Sequence, residues 1–234
     1  MLTGSMGPTK QKAARLVVDL ASTAGATEFI EVENAHVSGV SVITGGHGLS
    51  RFLADLSDDP DGKVAIPTTL NSAGCDHQKM DEMGIDYPDF LEQQFEIVHA
   101  YSELGIEAIL SCTPYDRGIG DDEGIGSWAE SNAVCFSNSY TSLITNRESG
   151  LSALATALTG WAPKWGLHLA ENRVPNILVN VECAMSDPTD WSILGDWIGK
   201  QIRSEWNLPW GPMPRITGLP DWASFEMRKA LTAA

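Results

Sequence analysis

The stretch "PDFLEQQFEIVHAYSELGIEAILSCTPY", residues 88–115, sets the fold class. Leu91, Phe95, Val98 and Tyr101 recur at helical spacing, Pro88 suits a first turn and Gly105 suits a stop, so 88–104 is expected to be a helix. His99 lies on it as packing or surface. The apolar run 106–111 follows as a strand and delivers Cys112 to a Thr-Pro-Tyr corner. A helix feeding directly into a strand is the repeat unit of an α/β fold.

The same alternation extends outward. Residues 8–24 read as a helix with Pro8 at its start and Gly25 at its stop. Strands are expected at 28–32, 63–66, 132–139 and 176–184, and helices at 48–56, 150–160 and 191–206. Residues 33–41, 58–62 and 67–76 read as loops or turns, with His47 and His77 also in loops. This pattern predicts a layered α/β/α architecture with a largely parallel sheet. Ligands of such folds gather beyond the carboxyl ends of the strands. Thr68, Thr69 and Asn71 follow one expected strand, Cys112 ends another, Asn138 lies late in a third and Cys183 in a fourth. The stretch 221–234 has a helical pattern without a terminating Gly, Asn or Pro, which predicts a chain cut within a longer protein.

The totals exclude several function classes. The 234 residues are 43% hydrophobic and 20% charged, a composition able to bury a core. The formal net charge of −16 would repel a nucleic-acid backbone but leaves room for a small anion held by local cations. No apolar run is long enough for a membrane span and no signal peptide is visible, so a cytoplasmic protein is expected. Four cysteines without a CxxC pair read first as small buried hydrophobes. No GxGxxG, GxxxxGK[ST], GxSxG or HExxH occurs, which argues against nucleotide binding, serine hydrolysis and zincin chemistry.

Several loops carry chemistry-bearing side chains. Asn146, Arg147 and Glu148 precede a helix start, where free N–H groups favour an anion that Arg147 could grip; a capping network with an Arg–Glu pair is the structural alternative. Glu130, Ser131 and Asn132 precede the expected strand at 132–139, and Glu130 could be a base, a metal-site partner or a surface acid. His168 lies near Glu171, Asn172 and Arg173 and could carry a proton or pack in a turn; His36 with Ser38 offers a similar choice.

Taken together, "AHVSGVS" (35–41), "PTTLNSAGCD" (67–76), "CTPY" (112–115), "WAESNAV" (128–134), "NS" (138–139), "TNRE" (145–148), "ALTG" (157–160) and "GLHLAENR" (166–173) resemble the large subunit of aconitase X enzymes, in the family's order. The resemblance runs from about residue 2 to 182 and follows the archaeal branch at PTTLN, CTPY, WAES and TNRE. It departs at Ser142, Leu143 and Ile144, where the family commonly has Gly-Ala-Arg. It implies that residues 1–234 are the N-terminal portion of an aconitase-like catalytic α/β region, truncated at the C-terminus. The implied activity is a hydro-lyase: dehydration of (R)-5-phosphomevalonate to trans-anhydromevalonate 5-phosphate in the archaeal branch, or of cis-3-hydroxy-L-proline in the bacterial one. The implied cofactor is an iron–sulfur cluster, of 4Fe-4S type, with Cys112 as one ligand and the others beyond residue 234. The implied partner is a small swivelling subunit that brings a serine base, and the implied substrate is a small anionic hydroxy acid. On this basis Glu130, Glu148 and His168 are candidate catalytic groups. Ser38, Thr68, Thr69, Asn71, Ser131, Asn132, Asn146, Arg147 and Arg173 are candidate substrate contacts. Cys75, Cys135 and Cys183 match no family ligand and stay structural. A non-catalytic remnant that binds a metabolite or a partner subunit is the alternative from another class.

Overall fold

A computed structural model describes residues 1–76, 78–79, 82–84, 88–203 and 211–234. The elements in chain order are α1 (Pro8–Ala24), β1 (Phe29–Glu31), β2 (Asn34–Val37), α2 (Val42–Ser57), β3 (Thr68–Leu70) and α3 (Pro88–Glu103). They continue with β4 (Gly124–Trp128), α4 (Ser131–Tyr140), β5 (Leu143–Arg147), α5 (Gly150–Thr159), β6 (Trp161–Pro163), β7 (Ile177–Asn180), α6 (Pro188–Ile202), β8 (Pro214–Thr217) and α7 (Phe225–Ala233). Short 3₁₀ turns at Pro114–Arg117, Gly166–His168 and Ala170–Arg173 interrupt the connections.

The central sheet has the order β3-β2-β4-β5, and all three pairings are parallel. The expected α/β architecture is therefore present. Val37 and Leu70 pack into a core with α1, α2, α3 and α5. Trp128 and Leu143 pack into a second core with α4 and Tyr115. Beyond it, α6 and α7 enclose Trp191, Ile198 and Met227 beside a parallel β7–β8 pair, and β1–β6 is an antiparallel clip.

The helix ends follow their sequence signals. Gly25 closes α1 in the left-handed conformation (φ 70°), and Ser149 caps α5 through a reciprocal bond with Ser152. At the free edge of β5, the Asn138 side-chain amide takes the place of a further strand. It accepts from Thr145 N at 3.2 Å and donates to Thr145 O at 2.8 Å.

Several expected strands are otherwise. Residues 131–140 form a helix, because Ala133, Val134, Phe136 and Ser137 bury at helical rather than alternating spacing; Asn138 is therefore helical. Residues 106–111 make one bridge, Glu107 to Thr69, and then turn away at Leu110 (φ 49°), so Cys112 ends no strand. Residues 63–66 stay irregular, and the strand there is Thr68–Leu70, inside the expected loop. The loop at 33–41 holds β2, an interior strand of the sheet, and 116–127 runs into β4. Cys183 lies past the end of β7. Helix α2 starts earlier than expected, breaks at Gly46 (φ 53°) and carries His47. On α3 the buried stripe runs through Gln94, Ile97 and Tyr101, and Phe95 is 48% exposed. The expected position of His77 and the last turn of the 191–206 helix lie outside the described residues.

Candidate functional site

Four parallel strands end together, and the polar candidates divide between the two faces of that end. Side chains alternate along a strand and share a face across a register pair. His36 pairs with both Thr69 and Trp128, so Ser38, Asn71 and Glu130, each two residues further on, stand over that layer on one face. The ladder runs one residue past the strands: Asn71 N donates to Val37 O at 2.9 Å, Ala129 N to His36 O at 2.9 Å and Glu148 N to Trp128 O at 3.0 Å.

Asn71 Nδ2 donates to Glu130 Oε2 at 2.7 Å, and Ser38 Oγ donates to Ala129 O at 3.1 Å. Ser131 Oγ lies 3.4 Å from Glu130 Oε1. Asn132 Oδ1 accepts from the Tyr115 hydroxyl at 3.4 Å, while the Tyr115 ring stacks on Phe136 with centroids 4.0 Å apart. Burial raises the Tyr115 pKa, with the Asp116 carboxylate and the Cys112 thiol adding to it. Cys112 is half-buried and unbridged, on the segment that leaves the β3 edge at Glu107 and docks on α4 at Tyr115.

One layer below, Thr69 Oγ1 bonds His36 Nδ1 at 2.8 Å, and Thr68 Oγ1 donates to Ile66 O at 2.9 Å. Both threonines are buried with their hydroxyls engaged there, beneath the strand ends. Burial alone lowers the His36 pKa to about 4, so its imidazole is neutral at physiological pH.

The second group lies on the other face of β5. Asn146 Oδ1 accepts from Leu167 N at 2.7 Å and its Nδ2 donates to Trp165 O at 3.2 Å. His168 Nδ1 donates to Pro163 O at 3.1 Å and stands 3.3 Å from Asn146 Nδ2. Burial lowers the His168 pKa against the pull of the Pro163 and Gly126 carbonyls, and Arg173 lowers it further. Arg173 Nη1 donates to Leu167 O at 2.7 Å. A Cβ on Gly166, which has φ 57°, would meet Asn146 Oδ1 at 2.5 Å, so this turn is packed against the amide. Between the groups, Arg147 is exposed opposite Trp128. The half-buried Glu148 carboxyl is raised above its ordinary pKa by burial, with the Ser152 hydroxyl opposing. Ser149 and Ser152 satisfy each other's backbone N–H at 3.0 and 2.8 Å, so the cap at this helix start is built by two serines that the sequence reading did not single out.

One organising residue escaped the sequence reading. Gln94, fully buried on α3, accepts from Val42 N at 3.1 Å and Gly74 N at 3.0 Å and donates to Val40 O at 2.9 Å. It ties the loop after β2 to the loop after β3. Its signal was a polar residue on the stripe of Ile97 and Tyr101.

The fold defines an open parallel-sheet α/β protein whose polar groups collect at the carboxyl ends of its strands. A family model described as the aconitase X first domain matches residues 1–171, and the chain belongs to the aconitase X family. It is 39% identical over 204 residues to the phosphomevalonate dehydratase large subunit of Methanosarcina mazei, covering 86% of this chain and 50% of that protein. It is 36% identical over 185 residues to the cis-3-hydroxy-L-proline dehydratase of Pseudomonas aeruginosa, covering 78% of this chain and 31% of that one. A crystal structure of Thermococcus kodakaraensis aconitase X in its holo-form superposes with a TM-score of 0.82 at 34% identity, covering 100% of this chain and 56% of that one. The chain spans about half the length of the curated phosphomevalonate dehydratase relatives it matches.

Proposed function

We propose that residues 1–234 are the N-terminal catalytic portion of a phosphomevalonate dehydratase large subunit, removing water from (R)-5-phosphomevalonate to give trans-anhydromevalonate 5-phosphate. The observation that carries this reading is the 34–40% identity to five archaeal large subunits of that activity. The reading extends to a cytoplasmic enzyme of isoprenoid synthesis that works with a small subunit.

Among the described residues no three His, Cys, Asp or Glu side chains gather into a metal-holding group. Cys112, half-buried and unbridged, would serve an iron–sulfur cluster as one thiolate ligand, and the remaining ligands would come from outside these residues. When bound, such a cluster supplies a Lewis acid for the departing hydroxide.

The chain's own side chains hold the substrate. Arg147, exposed at the end of β5, and Arg173 supply the cations that a phosphate and a carboxylate require in a chain of net charge −16. Glu130 holds or moves a proton through Oε1, beside Ser131 Oγ, while Asn71 fixes its Oε2. Glu148, its carboxyl shifted toward the protonated form, orients the helix start beside Arg147. Asn146 and His168 set the 163–168 turn beneath Arg173. Thr68 and Thr69 order the strand end rather than touch substrate, and Ser38 and Asn132 shape the rim.

The test is anaerobic co-expression of the full reading frame with its small-subunit candidate, iron and sulfide reconstitution, and NMR of 5-phosphomevalonate turnover. Wild-type protein should produce the alkene signal, and Cys112→Ala should lose iron and turnover together. Turnover of cis-3-hydroxy-L-proline instead would transfer the chain to the bacterial activity. A protein that takes up no iron would overturn the dehydratase reading in favour of a remnant that keeps only the fold.

A further inference from the structure

Cys112 sits on a corner that the sheet does not hold. The bridge from Glu107 to Thr69 lies five residues before it. Leu110, between the two, has φ 49°, a left-handed conformation that a leucine keeps only under restraint. From there to Gly118 the described backbone bonds are local turns, Asp116 N to Thr113 O at 3.0 Å and Gly118 N to Tyr115 O at 3.1 Å.

Side chains restrain the corner instead. Thr113 Oγ1 donates to Asp116 Oδ2 at 2.6 Å. Its proton is used there, so Ser111 Oγ is the donor of the 3.1 Å bond between the two hydroxyls that flank Cys112, and it accepts in turn from Thr113 N at 3.2 Å. Asp116 then accepts from Lys229 Nζ, at 2.7 Å through Oδ2 and 3.0 Å through Oδ1. That ammonium comes from α7, 113 residues further along the chain, so the pair ties two separate elements. Its side chains are 27% and 35% exposed, and a partly sheltered pair is screened less than one in open water.

The rest of α7 is aimed at the same place. Phe225, Arg228 and Lys229 share one side of the helix by their spacing. The Phe225 ring meets Tyr115 and Phe136 edge-on, with centroids 6.1 and 5.4 Å away, and the Arg228 guanidinium lies 5.5 Å over the Tyr140 ring. Met227 and Leu231, on the opposite side, pack with Trp191 and Ile198. A helix outside the matched residues 1–171 thus seats the Cys112 corner on a core of its own.

We propose that α7 positions Cys112, with Lys229 as the positioning residue: through Asp116 and Thr113 it fixes the direction in which the thiol is presented. The inference deepens the cluster reading above and rests on it for its consequence. A thiolate that must join ligands from elsewhere holds iron better when its direction is set beforehand.

Lys229→Met keeps the side-chain stem and removes the ammonium. The first readout needs no metal: peptide-resolved alkylation of the 234-residue chain by iodoacetamide, with the exposed Cys183 as internal reference. In Lys229→Met the Cys112 rate relative to Cys183 should rise at least fivefold, with the melting temperature within a few degrees of wild type. Lys229→Arg should bring it back to within twofold. In an Asp116→Asn background Lys229→Met should add less than twofold, because the partner charge is already gone. The second readout is iron loss to a chelator from the reconstituted full reading frame, which Lys229→Met should speed at least fivefold. A Cys112 rate within twofold of wild type, a rise shared by Cys183, or iron loss at the wild-type rate overturns the proposal. A wild-type protein that takes up no iron strikes the dehydratase reading instead, and the alkylation ratio alone then decides whether α7 holds the corner.

Discussion

The Asn71 side-chain amide and the Glu130 carboxylate meet at 2.7 Å across the end of β2, although they follow strands β3 and β4, which are not neighbours in the sheet. Two strands are about 10 Å apart across an intervening one, so both side chains must lean inward over β2 to meet. Their backbones are held to allow it, since the β-ladder continues through Asn71 N and Ala129 N. A carboxylate that receives one neutral amide bond is oriented without being neutralised. Its other oxygen keeps its lone pairs toward Ser131.

That asymmetry makes Glu130 the most informative substitution in the site. Glu130→Gln can still accept from Asn71 through its amide oxygen, so the bridge over β2 survives and the melting temperature should shift by no more than a few degrees. If the carboxylate holds or moves a proton in the reconstituted enzyme, kcat should fall by about 10²-fold or more. Asn71→Leu should lower kcat less, because it frees the carboxylate without removing it. A Gln variant within tenfold of wild type in kcat would leave Glu130 with an orienting role only.

His36 gives the protein a pH dependence whose sign can be worked out. Its folded pKa is about 4, against an ordinary value of 6.5, because burial disfavours the imidazolium. The unfolded chain thus binds more protons between those values, and stability is full above pH 6.5 and drains as pH falls toward 4. The 2.5-unit difference corresponds to about 3 kcal/mol in all. His168, also lowered by burial, acts in the same direction, whereas the raised Glu148 acts in the opposite one. Urea unfolding of wild type and His36→Gln from pH 7.5 to 4.5 isolates the one group. The stability advantage of wild type should shrink as pH falls; an advantage unchanged over that range would mean that His36 is not held neutral.

Helices were legible in the sequence where a proline start met a glycine stop, as in 8–24 with Pro8 and Gly25 and in 88–104 with Pro88 and Gly105. The central strands were not. β2 and β3 are Asn-Ala-His-Val and Thr-Thr-Leu, too short to show a period and polar because their side chains bond one another inside the protein. Residues 131–140 look strand-like through Val134, Cys135 and Phe136, but tertiary packing on Tyr115 and Trp128 selects the helix. For the site, the motifs named Ser38, Asn71, Glu130 and Glu148, but not their placement: all four lie just past a central strand, whereas the sequence put Ser38 in a loop, Glu130 before a strand and Glu148 before a helix. They could not show that Asn146, His168 and Arg173 gather on the opposite face, because the alternation of β5 was not visible until its pairing with β4 was known.

Gln94 should behave as a buried polar hub. It satisfies two backbone N–H groups and one carbonyl, at Val42, Gly74 and Val40. Gln94→Leu strands all three and should cost about 2–4 kcal/mol, several times a typical surface change. Because the tie joins the loops after β2 and β3, the same variant should speed amide exchange at Val42 and Gly74 more than within α3. Equal exchange throughout would indicate simple global destabilisation and remove the clamp role.

The two glycines that begin α5 and lie within α6 should respond to alanine with opposite signs. At Gly150 a Cβ would run into the Ser38 backbone carbonyl, and neither side of that contact is a flexible side-chain tip. Relief requires α5 to withdraw from the loop that carries Ser38, so Gly150→Ala should destabilise by about 1–3 kcal/mol, the range for overpacking. Gly199, on the exposed side of α6, has open space where its Cβ would go and helical backbone around it. Gly199→Ala should therefore stabilise by about 0.5–1 kcal/mol, the helix-propensity difference. Because α5 starts directly after Arg147 and Glu148, the Gly150 variant should also raise KM in the assembled enzyme, while the Gly199 variant leaves it unchanged. Denaturant midpoints of the two variants, read against wild type in one buffer, check the signs; a Gly150→Ala protein as stable as wild type would show that the helix start is not seated on the Ser38 loop.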